Sequence, residues 1–139
     1  MGMGERPTIV CLCGSTRFWQ AFRDEGLRET LAGRIVLSIG IAAPDSEVFA
    51  HATSDDGKEI KRRLDVLHKW KIEIADEVYV LNVDGYIGDS TKSEIAYALR
   101  RSKPLRWLES ASEDACLIAV MQAFPAWVPM DLPSASEAP

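Results

Sequence analysis

Two loops of this chain carry residue types that can hold an anionic ligand and act on it. The first loop follows an apolar stretch and contains Gly14, Ser15, Thr16 and Arg17. Glycine lets the main chain approach a ligand, amides at a helix start bind anions, and an arginine can grip a phosphate through two parallel hydrogen bonds. We therefore expect this loop to bind phosphate. The structural alternative is a plain strand-to-helix turn in which Ser15 or Thr16 only caps the helix.

The second loop, residues 85–94 with the sequence GYIGDSTKSE, ends in a single carboxylate, Glu94, which we expect to be catalytic. The other candidate ligand contacts around this loop are Asp84, Tyr86, Gly88, Ser90 and Ser93. A structural interpretation competes with the catalytic one. Thr91-Lys92-Ser93-Glu94 fits a capping box, in which Glu94 would only accept a hydrogen bond from the amide of Thr91.

Apolar runs and helical patterns alternate along the chain and predict the elements that position these loops. Predicted strands are Thr8–Cys13, Arg34–Ile39, Glu77–Asn82 and Pro104–Leu108, and predicted helices are Arg17–Leu31, Lys58–Ala75, Thr91–Arg101 and Glu113–Phe124. This alternation calls for a parallel sheet with right-handed crossovers. We expect a single-domain, doubly wound α/β fold of the Rossmann or flavodoxin-like type over residues 1–124. The expected strand order is 2-1-3-4, with room for a short fifth strand, which puts both loops at one ligand-binding crevice.

Two further segments have no clear periodicity. Residues 40–57 form a long connection rich in turn formers, a length that is typical of a lid or binding loop. Residues 125–139 carry four prolines together with serine and alanine, and we expect this tail to be disordered.

Composition excludes several classes of function. The 139 residues suit one domain, and a net charge of −5 argues against a nucleic-acid-binding face. No stretch is long enough to span a membrane, and the N-terminus lacks the apolar segment of a signal peptide, so we expect a cytoplasmic protein. The ending of an NTP-binding P-loop and the three glycines of a dinucleotide loop are both absent, so we expect no cofactor.

The three cysteines, Cys11, Cys13 and Cys116, follow no pattern typical of disulfides or metal sites. Cys11 and Cys13 are two apart on a predicted strand and therefore point to the same face. We expect buried, reduced thiols and no bound metal.

Three segments carry a resemblance to a known family. CLCGSTR after the first strand, HKWKIEIADEVYVLNV and GYIGDSTKSEIAYAL together resemble the nucleoside 2-deoxyribosyltransferase superfamily. The similarity covers about Thr8 to Leu108, and by size it is greatest to the small branch of 2′-deoxynucleoside 5′-phosphate N-hydrolases. The resemblance implies a homodimer or larger homo-oligomer. It also implies that the substrate is a nucleoside 5′-monophosphate or a nucleoside.

The resemblance further implies roles for individual residues. Glu94 matches the glutamate that attacks the anomeric carbon of the sugar, and Gly14, Ser15 and Arg17 match the loop that binds the 5′-phosphate. The family's proton donor is an aspartate on the long helix before the third strand. The matching position here holds His68, and Asp65 lies one turn earlier. The candidate acids, in order of preference, are Asp65, His68, Asp89 and Asp84.

The sequence leaves two functions open. The first is hydrolysis or transfer at an N-glycosidic bond, and Arg17 favours a phosphorylated substrate and hydrolysis. The second is a non-catalytic nucleotide-binding or sensor module on the same scaffold. A phosphorelay receiver is excluded because such proteins need clustered acids after the first strand, where this chain has Gly-Ser-Thr-Arg.

Overall fold

The computed structural model of the chain describes residues 4–40 and 57–125. Its strands are β1 (Ile9–Cys13), β2 (Ile35–Leu37), β3 (Glu77–Val80) and β4 (Leu105–Trp107). Its helices are α1 (Trp19–Leu31), α2 (Gly57–Ile74), α3 (Asp89–Arg100) and α4 (Glu113–Ala123), with single 3₁₀ turns at Thr16–Phe18, Val83–Gly85 and Ser110–Ser112. The segment expected to be a lid and the C-terminal tail lie outside the described residues, apart from residues 40, 57 and 125.

The four described strands form one parallel sheet in the order β2-β1-β3-β4, which confirms the predicted fold class and order. In this sheet Cys13 pairs with Val80, so β1 and β3 end at the same level. The loops that follow these two strands therefore leave from one edge of the sheet. Within the part of the chain that the structure describes, no helix combines the length and apolarity needed to cross a bilayer.

Side chains of β1 alternate between two apolar layers. Val10 and Leu12 pack on one face of the sheet with Phe22 of α1. Cys11 and Cys13 point to the opposite face, where the buried residues of α2, α3 and α4 lie. Because both faces are covered, β1 is apolar along its whole length, as expected for a strand in the middle of a parallel sheet.

Several apolar residues of α1 and α2 are exposed, while a charged residue of α1 and a polar residue of α2 are buried. On α1, Phe22 is buried but Leu27 and Leu31 are exposed. The side of α1 near its C-terminus is instead held by a buried carboxylate, Glu29, which pairs with Arg34 and with Arg106 of β4. A charged network thus takes the place of an apolar contact.

On α2, Leu64 and Ile74 are likewise exposed, while Ile72 and, less expectedly, His68 are buried against β1. A pattern that counts only apolar residues misses this face, because the face is built around a histidine. Helix α2 therefore places His68 at the edge of the sheet from which the two loops leave.

Candidate active site

The loop after β1 turns sharply over the end of β3. A Cβ atom added to Gly14 would lie 3.1 Å from the carbonyl oxygen of Leu81, so a larger residue would require the neighbouring main chain to shift by a few tenths of an ångström. Ser15 then caps the 3₁₀ turn by accepting a hydrogen bond from the amide of Arg17 at 3.4 Å. Ser15 therefore caps the turn, as expected for a plain strand-to-helix turn, and Thr16 is exposed.

Arg17 joins the two loops across the crevice. Its Nη2 donates a hydrogen bond to the Tyr86 hydroxyl at 3.2 Å, and its guanidinium carbon lies 4.2 Å from the centre of the Tyr86 ring. Phe18 adds an edge-on contact with the same ring at 5.9 Å between centroids. The structure therefore brings the predicted phosphate loop and the predicted sugar or base contact together. Arg17 remains exposed, which leaves it reachable by an anion.

Glu94 lies two residues further into its helix than the sequence indicates. Helix α3 begins at Asp89 with Gly88 as N-cap, two residues before the predicted start at Thr91. Glu94 is therefore in the second turn and cannot form a capping box with Thr91, which is itself buried. The capping interpretation is wrong, because Gly88 in extended conformation already ends the loop.

Four side chains meet where β1, α2 and α3 come together; we call them the buried cluster. They are Cys11, Cys13, His68 and Glu94, all at most 8% exposed. His68 Nε2 lies 3.3 Å from Cys13 Sγ, 3.6 Å from Cys11 Sγ and 3.8 Å from Glu94 Oε2. The other ring nitrogen, Nδ1, is buried without a hydrogen-bond partner among the described residues.

Burial shifts the ionisation of this cluster. It raises the pKa of Glu94 to about 7, an effect that the positive charge of His68 only partly opposes. Burial alone would lower the pKa of His68, but the hydrogen bond with Cys11 and the charge of Glu94 outweigh it and the pKa is raised. A carboxyl with a pKa of about 7 beside an imidazole with a raised pKa is a pair suited to acid–base chemistry.

The two thiols of the cluster differ from each other. A hydrogen bond from Cys13 lowers the pKa of Cys11, with His68 adding to the effect, whereas burial raises the pKa of Cys13 well above its ordinary value. Cys11 is therefore the thiol that ionises first, beside an imidazole that holds its proton.

A lysine links the predicted acid Asp65 to the second loop. Lys61 Nζ lies 3.1 Å from Asp65 Oδ2 on the same face of α2 and donates a 2.6 Å hydrogen bond to Ser90 Oγ at the start of α3. The charge of Asp65 also contributes to the raised pKa of Glu94. Asp65 and Ser90 are thus both at the site. Sequence reasoning missed Lys61, although its position four residues before Asp65 is a usable signal.

The remaining predicted residues are placed less centrally. Asp89 projects fully into solvent, with only a 3.9 Å approach to Lys92, and Asp84 is exposed with left-handed backbone (φ 54°) and its amide bonded to Glu109. Among the described residues, no contact joins either carboxylate to Glu94. Gly88 faces the Tyr86 hydroxyl, and Ser93 is partly buried next to Glu94 on α3.

Sequence reasoning did not foresee that the two strand cysteines would contact His68. It placed Cys11 and Cys13 on one face of β1 but took them as inert thiols. The usable signal was their shared face together with a histidine on the helix packed against it. Comparisons with protein-family models, curated proteins and solved structures give no significant match for this chain.

Proposed function

We propose that this protein hydrolyses the N-glycosidic bond of a nucleoside 5′-monophosphate, with Glu94 as the nucleophile. One observation carries the proposal: a buried carboxylate and an imidazole lie 3.8 Å apart at the sheet edge from which the arginine-bearing loop also leaves. The resemblance to nucleoside 2-deoxyribosyltransferases supports the same assignment. Glycosidic bonds are cleaved through carboxylates held beside the anomeric carbon.

The anionic end of the substrate belongs at the loop after β1. Arg17 is exposed and oriented by Tyr86, and Gly14 lets the main chain lie close to whatever the loop binds. Replacing the Tyr86 contact by a phosphate would give Arg17 a charge-assisted, bidentate partner. This preference for a phosphate favours a nucleotide over a nucleoside.

The reactive form is the one in which Glu94 is ionised and His68 keeps the proton. A Glu94 oxygen then bonds to C1′ as the bond between C1′ and the base nitrogen breaks, and the base takes a proton from an acid. Water next adds to C1′, gives a proton back to that acid and releases Glu94 as the carboxylate. His68 acts as a positioning residue, since its charge favours the ionised Glu94.

Asp65 is the better proton donor to the base. His68 is only 3% exposed and is enclosed by the thiols, whereas the Asp65 side chain is 40% exposed on the same helix, one turn earlier. Lys61 fixes the Asp65 carboxyl through their 3.1 Å contact. The more open acid is the one that a leaving base can reach.

The test is incubation of the full chain, reduced and with a chelator present, with a panel of nucleosides and their 5′-monophosphates. Free base is measured by chromatography. We expect release from at least one monophosphate, and we expect Arg17→Ala to raise KM for it while changing turnover of the matching nucleoside little. Binding of nucleotides without any base release would overturn hydrolysis in favour of a binding module.

A further inference from the structure

We propose that Cys11, Cys13 and His68 form a binding site for one Zn²⁺ ion, with Glu94 in reach as a fourth ligand. Zinc binding does not depend on the proposed hydrolysis, because it needs only the donor atoms of the buried cluster and no substrate. It shares Glu94 with that reaction, so an ion bound here would occupy the nucleophile.

The distances between donor atoms fit a tetrahedral ion. Zinc bonds of about 2.3 Å to sulfur and about 2.0 Å to nitrogen place a sulfur and a nitrogen about 3.5 Å apart. The structure gives 3.3 Å from His68 Nε2 to Cys13 Sγ and 3.6 Å to Cys11 Sγ. All three donor atoms lie within 4.8 Å of one another. An ion could therefore be held with small rotations of side chains and no movement of the main chain.

The chemistry of the donors selects zinc over hard cations. Two thiols and an imidazole form a soft donor set, which disfavours magnesium and calcium. Metal binding would release the thiol protons to solvent. All three side chains are at most 3% exposed, so their donor atoms are shielded from bulk water.

Glu94 completes the set. Its Oε2 lies 3.8 Å from His68 Nε2, somewhat more than the about 3.3 Å expected for an oxygen and a nitrogen on one tetrahedral zinc ion. Two thiolates, one imidazole and one carboxylate would leave a net charge of about −1 on the complex. Metal-binding histidines usually donate their other N–H to an acceptor. No described residue accepts from Nδ1, so we expect an ion that chelators remove readily.

The experiment uses the reduced full chain after chelator treatment. Addition of Co²⁺ is expected to give thiolate-to-cobalt charge-transfer absorption at one ion per chain, and Zn²⁺ is expected to abolish it. Cys116→Ser is the matched control, because Cys116 is also buried but contacts Asn82 and the Gly85 carbonyl instead. The Cys116→Ser variant should bind Co²⁺ and Zn²⁺ like the wild type.

Cys11→Ser, Cys13→Ser and His68→Gln are expected to lose zinc affinity by more than the about 10–100-fold typical of removing an outer-shell partner. Circular dichroism in chelator checks that each variant folds. Zn²⁺ should also raise the Tm of the wild type but not of these variants. The proposal is overturned by wild type without a thiolate-to-cobalt band, or by Cys11→Ser and Cys13→Ser chains that both keep it. Absent base release with intact metal binding would count against the hydrolysis alone.

Discussion

Replacement of Glu94 by glutamine should stabilise the metal-free protein at pH 8 while it removes the proposed nucleophile. Burial raises the pKa of Glu94 to about 7, from an ordinary value of 4.5. The folded state therefore binds a proton more tightly than the unfolded chain does. A carboxyl with a raised pKa contributes stability below pH 4.5, and that contribution is lost as the pH rises through about 7. Glutamine carries no charge and escapes this loss.

The magnitude follows from the two pKa values. At about 1.4 kcal/mol for each tenfold change, the difference corresponds to about 3 kcal/mol above pH 7. The pKa of His68 is also raised, in part by the charge of Glu94, so its contribution to stability is likewise lost as the pH rises. We therefore expect Glu94→Gln to match the wild type near pH 4.5 and to exceed it increasingly up to pH 8.

The assay is urea denaturation followed by circular dichroism at several pH values from 4.5 to 8, in the presence of a chelator and a reductant. Asp89→Asn is the matched control, because that carboxylate is fully exposed one turn earlier on α3 and should change stability little at any pH. A Glu94→Gln chain that is less stable than the wild type at pH 8 would contradict a raised pKa of Glu94. A difference in stability between the two chains that does not vary with pH would contradict it as well.

Three further substitutions test contacts that stabilise the fold around the site. Gly14→Ala should destabilise by about 1–3 kcal/mol, since its Cβ would press on the Leu81 carbonyl at 3.1 Å; urea denaturation measures the loss. Asn82→Ala should lower the free energy of unfolding by about 2–4 kcal/mol in the same assay. The fully buried Asn82 side chain makes two 2.9 Å hydrogen bonds with the main chain of Glu109, beyond β4. Asp76→Asn should lower the Tm at pH 6 but not near pH 2, because Arg6 lowers the pKa of Asp76 from 3.8 to about 2 and the carboxylate's contribution disappears on acidification.

Each of these changes has a control or a contradicting result. Among the described residues, a Cβ atom on Gly40 would meet nothing within 4 Å, so Gly40→Ala should stay within about 0.5 kcal/mol of the wild type. Equal effects of the two glycine variants would contradict the steric argument. An Asn82→Ala chain as stable as the wild type would mean that its hydrogen bonds do not matter. An Asp76→Asn deficit that persists unchanged at pH 2 would exclude the ionised carboxylate as its cause.

The fold could be predicted because its signals are local. The apolar run of β1 and the alternation with helices indicate a parallel sheet, and doubly wound sheets commonly place the first and third strands side by side. Faces of helices were harder to predict. Leu27 and Leu31 look like core residues, yet the side of α1 near them is held by ion pairs of Glu29 with Arg34 and Arg106 from distant positions.

The sequence names candidate residues for the site but not their arrangement. Glu94 and Arg17 could be named from residue type and position alone. The approach of His68 to Cys11 and Cys13 depends on how α2 packs on β1, and no local pattern encodes that packing. The start of α3 was misplaced by two residues because Asp89 and Ser90 were taken as loop, and that shift excludes a capping box between Thr91 and Glu94.

The proposed role of Glu94 is tested by single-turnover base release from the preferred monophosphate, compared between wild type and Glu94→Gln in chelator. We expect the wild type to free the base, Asp89→Asn to do so at a similar rate, and Glu94→Gln to bind the nucleotide but to free no measurable base. Base release by Glu94→Gln at the wild-type rate would exclude Glu94 as the nucleophile.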